Sequence, residues 1–279
     1  MNLILALLSA ALYGTADFLG GLAARRAAAL AATVMAQGIG LVLVALALPL
    51  FATALPNGTV ALWGVGAGLT GGIGVALLYY GFSVGRMSVV APVTAVCSIT
   101  IPVLTGLFLG ERPGLVALGG VAAAIVSVAL ISRHDDPAGT VSGPDRSLPI
   151  ALASGVAIGV FLVCLVRAGT ESGLWPLLIA RAASTIALAA AAGFSKVRLA
   201  IPRKVWPVVV ACGAIDVVAN ALYLLAARGG SLGLVATLAS LYPASTVLLA
   251  RVVLGERLRP VQSVGLVCAA GAIVLITGR

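Results

Sequence analysis

The sequence predicts an all-α integral membrane protein in which ten transmembrane helices form two inverted five-helix repeats around a central cavity. Three observations lead there. Apolar residues make up 61% of the 279-residue chain and charged residues only 9%, with a mean hydropathy of +1.19, a balance that no soluble domain of this length needs. The apolar residues come in runs, many of them near the roughly 20 residues with which a helix crosses about 30 Å of hydrocarbon. The second half of the chain also repeats the first in register.

Each run must satisfy its own backbone, because hydrocarbon offers it no hydrogen-bond partners, and the α-helix does so. A membrane barrel would instead show segments of about 10 residues with alternating polarity, and the sequence has none. Reading apolar runs between polar breaks places the helices at 3–24, 30–51, 59–82, 88–109, 113–131, 148–168, 174–193, 205–227, 232–254 and 260–277. The longest polar stretch, from Ser132 to Ser147, includes His134, Asp135, Asp136, Pro137, Pro144 and Asp145. It reads as a linker, so the expected organisation is a first repeat over 1–132, a linker over 133–147 and a second repeat over 148–279.

Gly110-Glu111-Arg112 recurs as Gly255-Glu256-Arg257, a shift of 145 residues (255 − 110). Without gaps, that shift also pairs Gly14 with Gly159, Gly68 with Gly213, Ala76-Leu77 with Ala221-Leu222, Gly85 with Gly230, Val90-Ala91 with Val235-Ala236, and Gly120 with Gly265. Five helices per copy is an odd number, so the second copy enters the membrane with the opposite orientation. Inverted repeats give two nearly equivalent packings, one open to each side, which is a recurrent transporter design. The repeat also identifies the first apolar run: it lacks the basic leader of a signal peptide and corresponds to the internal segment 148–168, so it is expected to be a retained helix. The loop Lys and Arg residues are biased towards the face that carries Arg25, which places both termini outside.

The formal net charge of +9 comes from basic residues in the breaks between apolar runs. Lipid headgroups account for that placement and nucleic acid does not. Cys97, Cys164, Cys212 and Cys268 all lie within apolar runs, as small packing residues do. No metal site or cofactor is expected.

These features resemble the drug/metabolite transporter superfamily, in particular its EamA-type members, over essentially the whole chain. The resemblance rests on Tyr13-Gly14 with Asp17-Phe18 in the first helix and on Trp175-Pro176 followed by Arg181 in the seventh. It rests most on the run from Ser240-Leu241-Tyr242-Pro243 to Leu254-Gly255-Glu256-Arg257, with Gly265 and Gly271 beyond it. The first half departs from the pattern, with Ser98 at the position of Pro243 and Ala36 at that of Arg181. What the resemblance implies is a secondary transporter in the inner (cell) membrane that moves amino acids, related metabolites or drugs, more often by efflux than by import. Its partners would be the lipid bilayer, a small-molecule substrate and, in a coupled mechanism, protons; with both repeats in one chain, a monomer suffices.

Polar side chains at membrane depth are costly and need a partner or a task. Asp17 and Asp216 are the carboxylates well inside apolar runs. Low dielectric favours the neutral form of such a group, which suits an ammonium or a coupling proton, and a structural hydrogen bond to a neighbouring helix is the alternative. Tyr13 stands one turn from Asp17, and Asn220 and Tyr223 share the face of Asp216. The shift of 145 carries Tyr223 to Leu78, beside Tyr79 and Tyr80, so these tyrosines line either a cavity or the interfacial belt. Ser98, Ser240 and Tyr242 are candidate substrate contacts in the proline-bearing helices. There Pro92, Pro102 and Pro243 free backbone carbonyls and could form gating kinks, although the hydroxyls can equally bond back to their own helix. Arg181 pairs with a substrate carboxylate, with an acidic side chain or, by snorkelling, with headgroups. Glu111-Arg112 and Glu256-Arg257 read as ion-pairing groups of turns. Gly64, Gly68 and Gly72 form a stripe that permits close helix contact.

A membrane-embedded enzyme is the rival class. His134 is the sole histidine and lies in the linker, with no HExxH or GxSxG pattern anywhere, so neither a metal centre nor a nucleophile elbow can be assembled. Within transport, a proton-coupled antiporter and a passive facilitator both fit.

Overall fold

The computed structural model describes residues 2–51, 55–110, 114–131, 146–168, 173–229, 241–257 and 259–277. These form ten helices: α1 (Asn2–Ala24), α2 (Ala29–Phe51), α3 (Gly58–Val84), α4 (Met87–Phe108), α5 (Leu115–Ile131), α6 (Ser147–Ala168), α7 (Trp175–Phe194), α8 (Trp206–Gly229), α9 (Tyr242–Leu254) and α10 (Pro260–Thr277). Seven are long and apolar enough to cross a membrane, and Leu118–Leu130, Tyr242–Leu254 and Pro260–Ile276 are shorter apolar helices. No strand occurs among the described residues. Nine helices start and end within two residues of the spans read from the apolar runs.

The expected start of the ninth span, at 232, lies outside the described residues; the described helix runs from Tyr242, with Pro243 in its first turn. Proline costs nothing there, because first-turn N–H groups have no intrahelical acceptor. In the described part of α9, Pro243 therefore sits at the helix start. Pro92 and Pro102 do lie inside a helix, since α4 runs through both. Most of the expected linker, and Glu111-Arg112, lie outside the described residues.

The outer surface is apolar: Leu46 is 70% exposed, Ile186 69% and Val267 73%, as lipid contact requires. The interior is built from small residues, with Ala, Gly and Val supplying much of what is buried. Lipid tails are as apolar as leucine, so helices gain from close approach rather than from hydrophobic burial.

The packing pattern follows the repeat. The shift of 145 relates α1–α5 to α6–α10 in order, and the main contacts exchange under it. Helix α3 packs on α6 as α1 packs on α8, α4 on α6 as α1 on α9, and α3 on α7 as α2 on α8. The pairs α2–α7, α4–α9 and α5–α10 map onto themselves. The most extensive contacts run between the two copies, so the repeats interlock. Equivalent atoms hold equivalent crossings. Ser9 Oγ donates to the Ala219 carbonyl at 2.8 Å, and Ser154 Oγ donates to the Gly74 carbonyl at 2.8 Å; both partners are related by the same shift. A methyl group at Gly14 would collide with the Tyr242 carbonyl and the Ser245 hydroxyl, and one at Gly159 would meet Ile101 Cβ at 2.5 Å and the Ser98 carbonyl at 2.9 Å. The stripe of Gly64, Gly68 and Gly72 packs on Ile179, Ala180 and Ser184 of α7.

Gly110 and Gly255 open the two Gly-Glu-Arg turns with φ of +84° and +68°. That left-handed conformation ends a helix and is easy only for glycine. Beyond Gly255, the Glu256 carboxylate reaches the N-terminus of α4. It accepts hydrogen bonds from the Met87 and Ser88 backbone N–H groups at 3.2 and 2.9 Å, from the Ser88 hydroxyl at 2.8 Å and from Arg25 Nη2 at 3.1 Å. Arg25 in turn donates to the Phe82 and Gly85 carbonyls at the end of α3. Four helix ends are thereby tied together. Burial pushes the Glu256 carboxyl up, but these donors outweigh it and hold the group below its ordinary value.

Two outcomes follow. Gly14→Ala should destabilise the protein by about 1–3 kcal/mol through overpacking, whereas Gly193→Ala, where a methyl group meets open space, should not; thermal unfolding in detergent compares them. A depressed carboxylate stabilises the folded state above its unfolded pKa and loses that contribution as pH falls through the folded value. The melting temperature of the wild type should therefore drop on acidification from about pH 5 to about pH 3, and a Glu256→Gln protein should drop less.

Candidate functional site

The polar interior begins with Arg181, six residues after the start of α7. At membrane depth an arginine stays charged, so its guanidinium needs acceptors from neighbouring helices. Two supply them: Nη1 donates to Gln37 Oε1 of α2, and Nη2 forms an ion pair with Asp216 Oδ2 of α8. The side chains retain 14% and 25% exposure, respectively, so the pair is sheltered but not sealed. Asn220, one turn further along α8, donates to the Asp216 carboxylate at 3.2 Å and to its backbone carbonyl at 2.8 Å. In the structure Arg181 is thus paired with an acidic side chain, Asp216.

Helix α1 completes the cluster. Its Asp17 is partly buried and close enough to Asp216 for the two charges to interact. No hydrogen bond from the described residues reaches the Asp17 carboxylate. Tyr13 lies within electrostatic range of Asp216, Arg181, Tyr223 and Asp17. Tyr79 crosses from α3, packs on Gly20 and shares a hydrogen bond with Cys212 Sγ at 3.3 Å, while Cys212 reaches the Ala16 carbonyl at 3.3 Å. Tyr242 is near Asp17 and Ser98. Ser98 donates to the Ala95 carbonyl within its own helix, at 2.9 Å.

The structure thus gathers Asp17, Tyr13, Arg181, Asp216, Asn220, Tyr223, Tyr79, Tyr242 and Ser98 around one interior region. Tyr80 is not among them: 46% exposed, it faces the outer surface. Pro92 is buried within α4, Pro102 is half-buried and Pro243 is buried at the start of α9. Ser240 lies outside the described residues.

Three participants were not anticipated. Gln37 is the amide in the second apolar run, one position after the counterpart of Arg181, and that proximity was the available signal. Cys212 read as a packing residue, and nothing local marks it as the partner of Tyr79. Thr185, one turn beyond Arg181, keeps a buried hydroxyl with no partner among the described residues. A narrow crevice lined by Val44, Ala47, Leu174, Leu177 and Val217 enters between α2, α7 and α8, with Asn220 the polar group among its walls. Its walls belong to the late part of α2 and the start of α7, so it lies nearer the face opposite Arg25.

A sequence model of the EamA-like transporter family matches residues 1–133 and 146–278. No curated protein sequence matches the chain. A solved protein described only as "Crystal structure of protein" superposes with a TM-score of 0.61 at 19% identity over 96% of both chains, a likeness of fold alone. Two matched segments that together span nearly the whole chain, on ten interlocked apolar helices, establish that this protein belongs to the EamA-like transporter family and is a multi-pass membrane transporter.

Proposed function

We propose that the protein is a secondary transporter that exports small polar metabolites, amino acids and related compounds, across the inner (cell) membrane by alternating access, with proton coupling through Asp17. The observation that carries this reading is the Arg181–Asp216 ion pair held by Gln37 and Asn220 in the membrane interior. Burying two charges costs several kcal/mol each, repaid only by mutual pairing and further hydrogen bonds. A zwitterion can replace that pairing bond for bond, its carboxylate taking Arg181 and its ammonium taking Asp216. Every charge is then matched in both the empty and the loaded site, so substrate can enter and leave without stranding an ion in low dielectric.

Asp17 supplies the coupling step. Two carboxylates near one arginine leave one negative charge uncompensated, and a proton or a second ammonium neutralises it. The crevice that reaches Asn220 supports a site that accepts a ligand. The transported compound leaves chemically unchanged, since nothing in the cluster forms a nucleophile–base pair.

A panel of labelled amino acids and cationic compounds in proteoliposomes tests this. Removing one partner of a charged hydrogen bond costs about 1.5–3 kcal/mol, or roughly ten- to a hundredfold in binding. Asp216→Asn and Arg181→Gln should therefore reduce flux by about that factor, while Tyr80→Phe should leave it unchanged. Normal flux in both charge variants would sink the site assignment. With an imposed pH gradient, Asp17→Asn should lose gradient-driven transport and keep substrate exchange. Wild-type flux indifferent to the gradient would leave passive facilitation as the mechanism.

A further inference from the structure

We propose that the Arg25–Glu256 ion pair is a latch that closes the site towards the face carrying Arg25, and that it biases the resting conformation of the transporter towards closure on that face. The proposal rests on the alternating-access reading above.

The latch has the right position. Arg25 follows α1, Glu256 lies in the turn between α9 and α10, and between them they hold the end of α3 and the start of α4. These are parts of both repeats, so relative motion of the repeats on this face must break the ion pair. Beneath it the interior is filled. Gly21 touches Phe82 and the Met87 side chain, and both side chains are fully buried. One layer deeper, Tyr79 fills the space against Gly20 and bonds Cys212, which is 1% exposed. Asp17 follows on the same stretch of α1. These packed side chains therefore separate the latch from the polar cluster, whereas the crevice at Asn220 lies nearer the other face.

The latch also has the right asymmetry. Its pseudo-symmetric counterpart would be built on Glu111, and the shift of 145 carries Arg25, Met87 and Ser88 onto Thr170, Leu232 and Gly233. These positions lie outside the described residues, and by sequence they carry no cation in place of Arg25 and no hydroxyl in place of Ser88. Two inverted repeats would otherwise favour both access states about equally. A charged, partly buried contact present in one state biases that balance without touching substrate.

The test uses Cys212 as reporter, in full-length protein carrying Cys97→Ala, Cys164→Ala and Cys268→Ala. A membrane-impermeant thiol reagent is applied to right-side-out and to inverted membrane vesicles, with no transport substrate present. With the native latch, Cys212 should be protected from the Arg25 face. Glu256→Gln should raise the labelling rate from that face by at least about tenfold, the factor that 1.4 kcal/mol of population shift produces, and Glu111→Gln should not. Rapid labelling from the Arg25 face with the latch intact would overturn the proposal, and needs no latch variant to fold. Unchanged protection in a monodisperse Glu256→Gln protein would overturn it too, as would equal exposure in Glu111→Gln. Because labelling reads the opening itself, a failed substrate assignment would show in flux and leave this result standing.

Discussion

Close backbone contact between the two five-helix copies is the constraint on which the rest of the structure depends. Helices in hydrocarbon have no solvent to escape, so they associate where side chains are small enough for backbones to meet. Gly14 with Gly159, and Gly68 with Gly213, occupy equivalent crossings in the two halves, and the Ser9 and Ser154 hydrogen bonds repeat between them at the same length. Each copy thereby packs its best surfaces on the other copy. Stability and pseudo-symmetry have the same source, and the shared interior of α1, α2, α7 and α8 becomes the natural place for a polar site.

The backbone obeys the two-fold relation more closely than the polar side chains do. Under the same shift Arg181 corresponds to Ala36, Asp216 to Gly71, Asn220 to Val75, Gln37 to Ala182 and Asp17 to Leu162. A buried charge must be answered by another, which ties these substitutions together: Arg181 without Asp216 and Gln37 would be an uncompensated cation. Divergence therefore had to assemble a set, and the set collects in one region rather than in two symmetric ones. The same break in symmetry extends to the sequence around the Gly-Glu-Arg turns: Glu256 meets Arg25 and Ser88, whereas Thr170 and Gly233 stand at the shifted positions. On the proposed reading, the symmetric backbone provides two access states and the asymmetric side chains choose the ligand and the resting state.

Sequence reasoning followed the helices closely because span length and apolar continuity are local properties. Nine of them lie within two residues of the spans read from the sequence, and the expected start of α9 at 232 lies outside the described residues. The cost of burying a charge in hydrocarbon singles out Asp17, Asp216 and Arg181 without any contact being known, and the structure brings the three together. Sequence reasoning did less well with the tyrosines. Tyr79 and Tyr80 are adjacent and chemically identical, yet one is buried against Cys212 and the other faces outward; successive positions on a helix differ by about 100°, and only the neighbouring helices decide which direction is inside.

By itself, then, the sequence determined that the chain is helical and membrane-spanning, that it is two related halves and that the halves are inverted. Hydrophobic length, internal self-similarity and an odd helix count can all be read along one dimension. Only the tertiary structure decided which polar groups meet. Gln37 and Arg181 are 144 residues apart, and Arg25 and Glu256 are separated by 231; no spacing rule connects them, because their proximity is produced by the interlocking of the two copies.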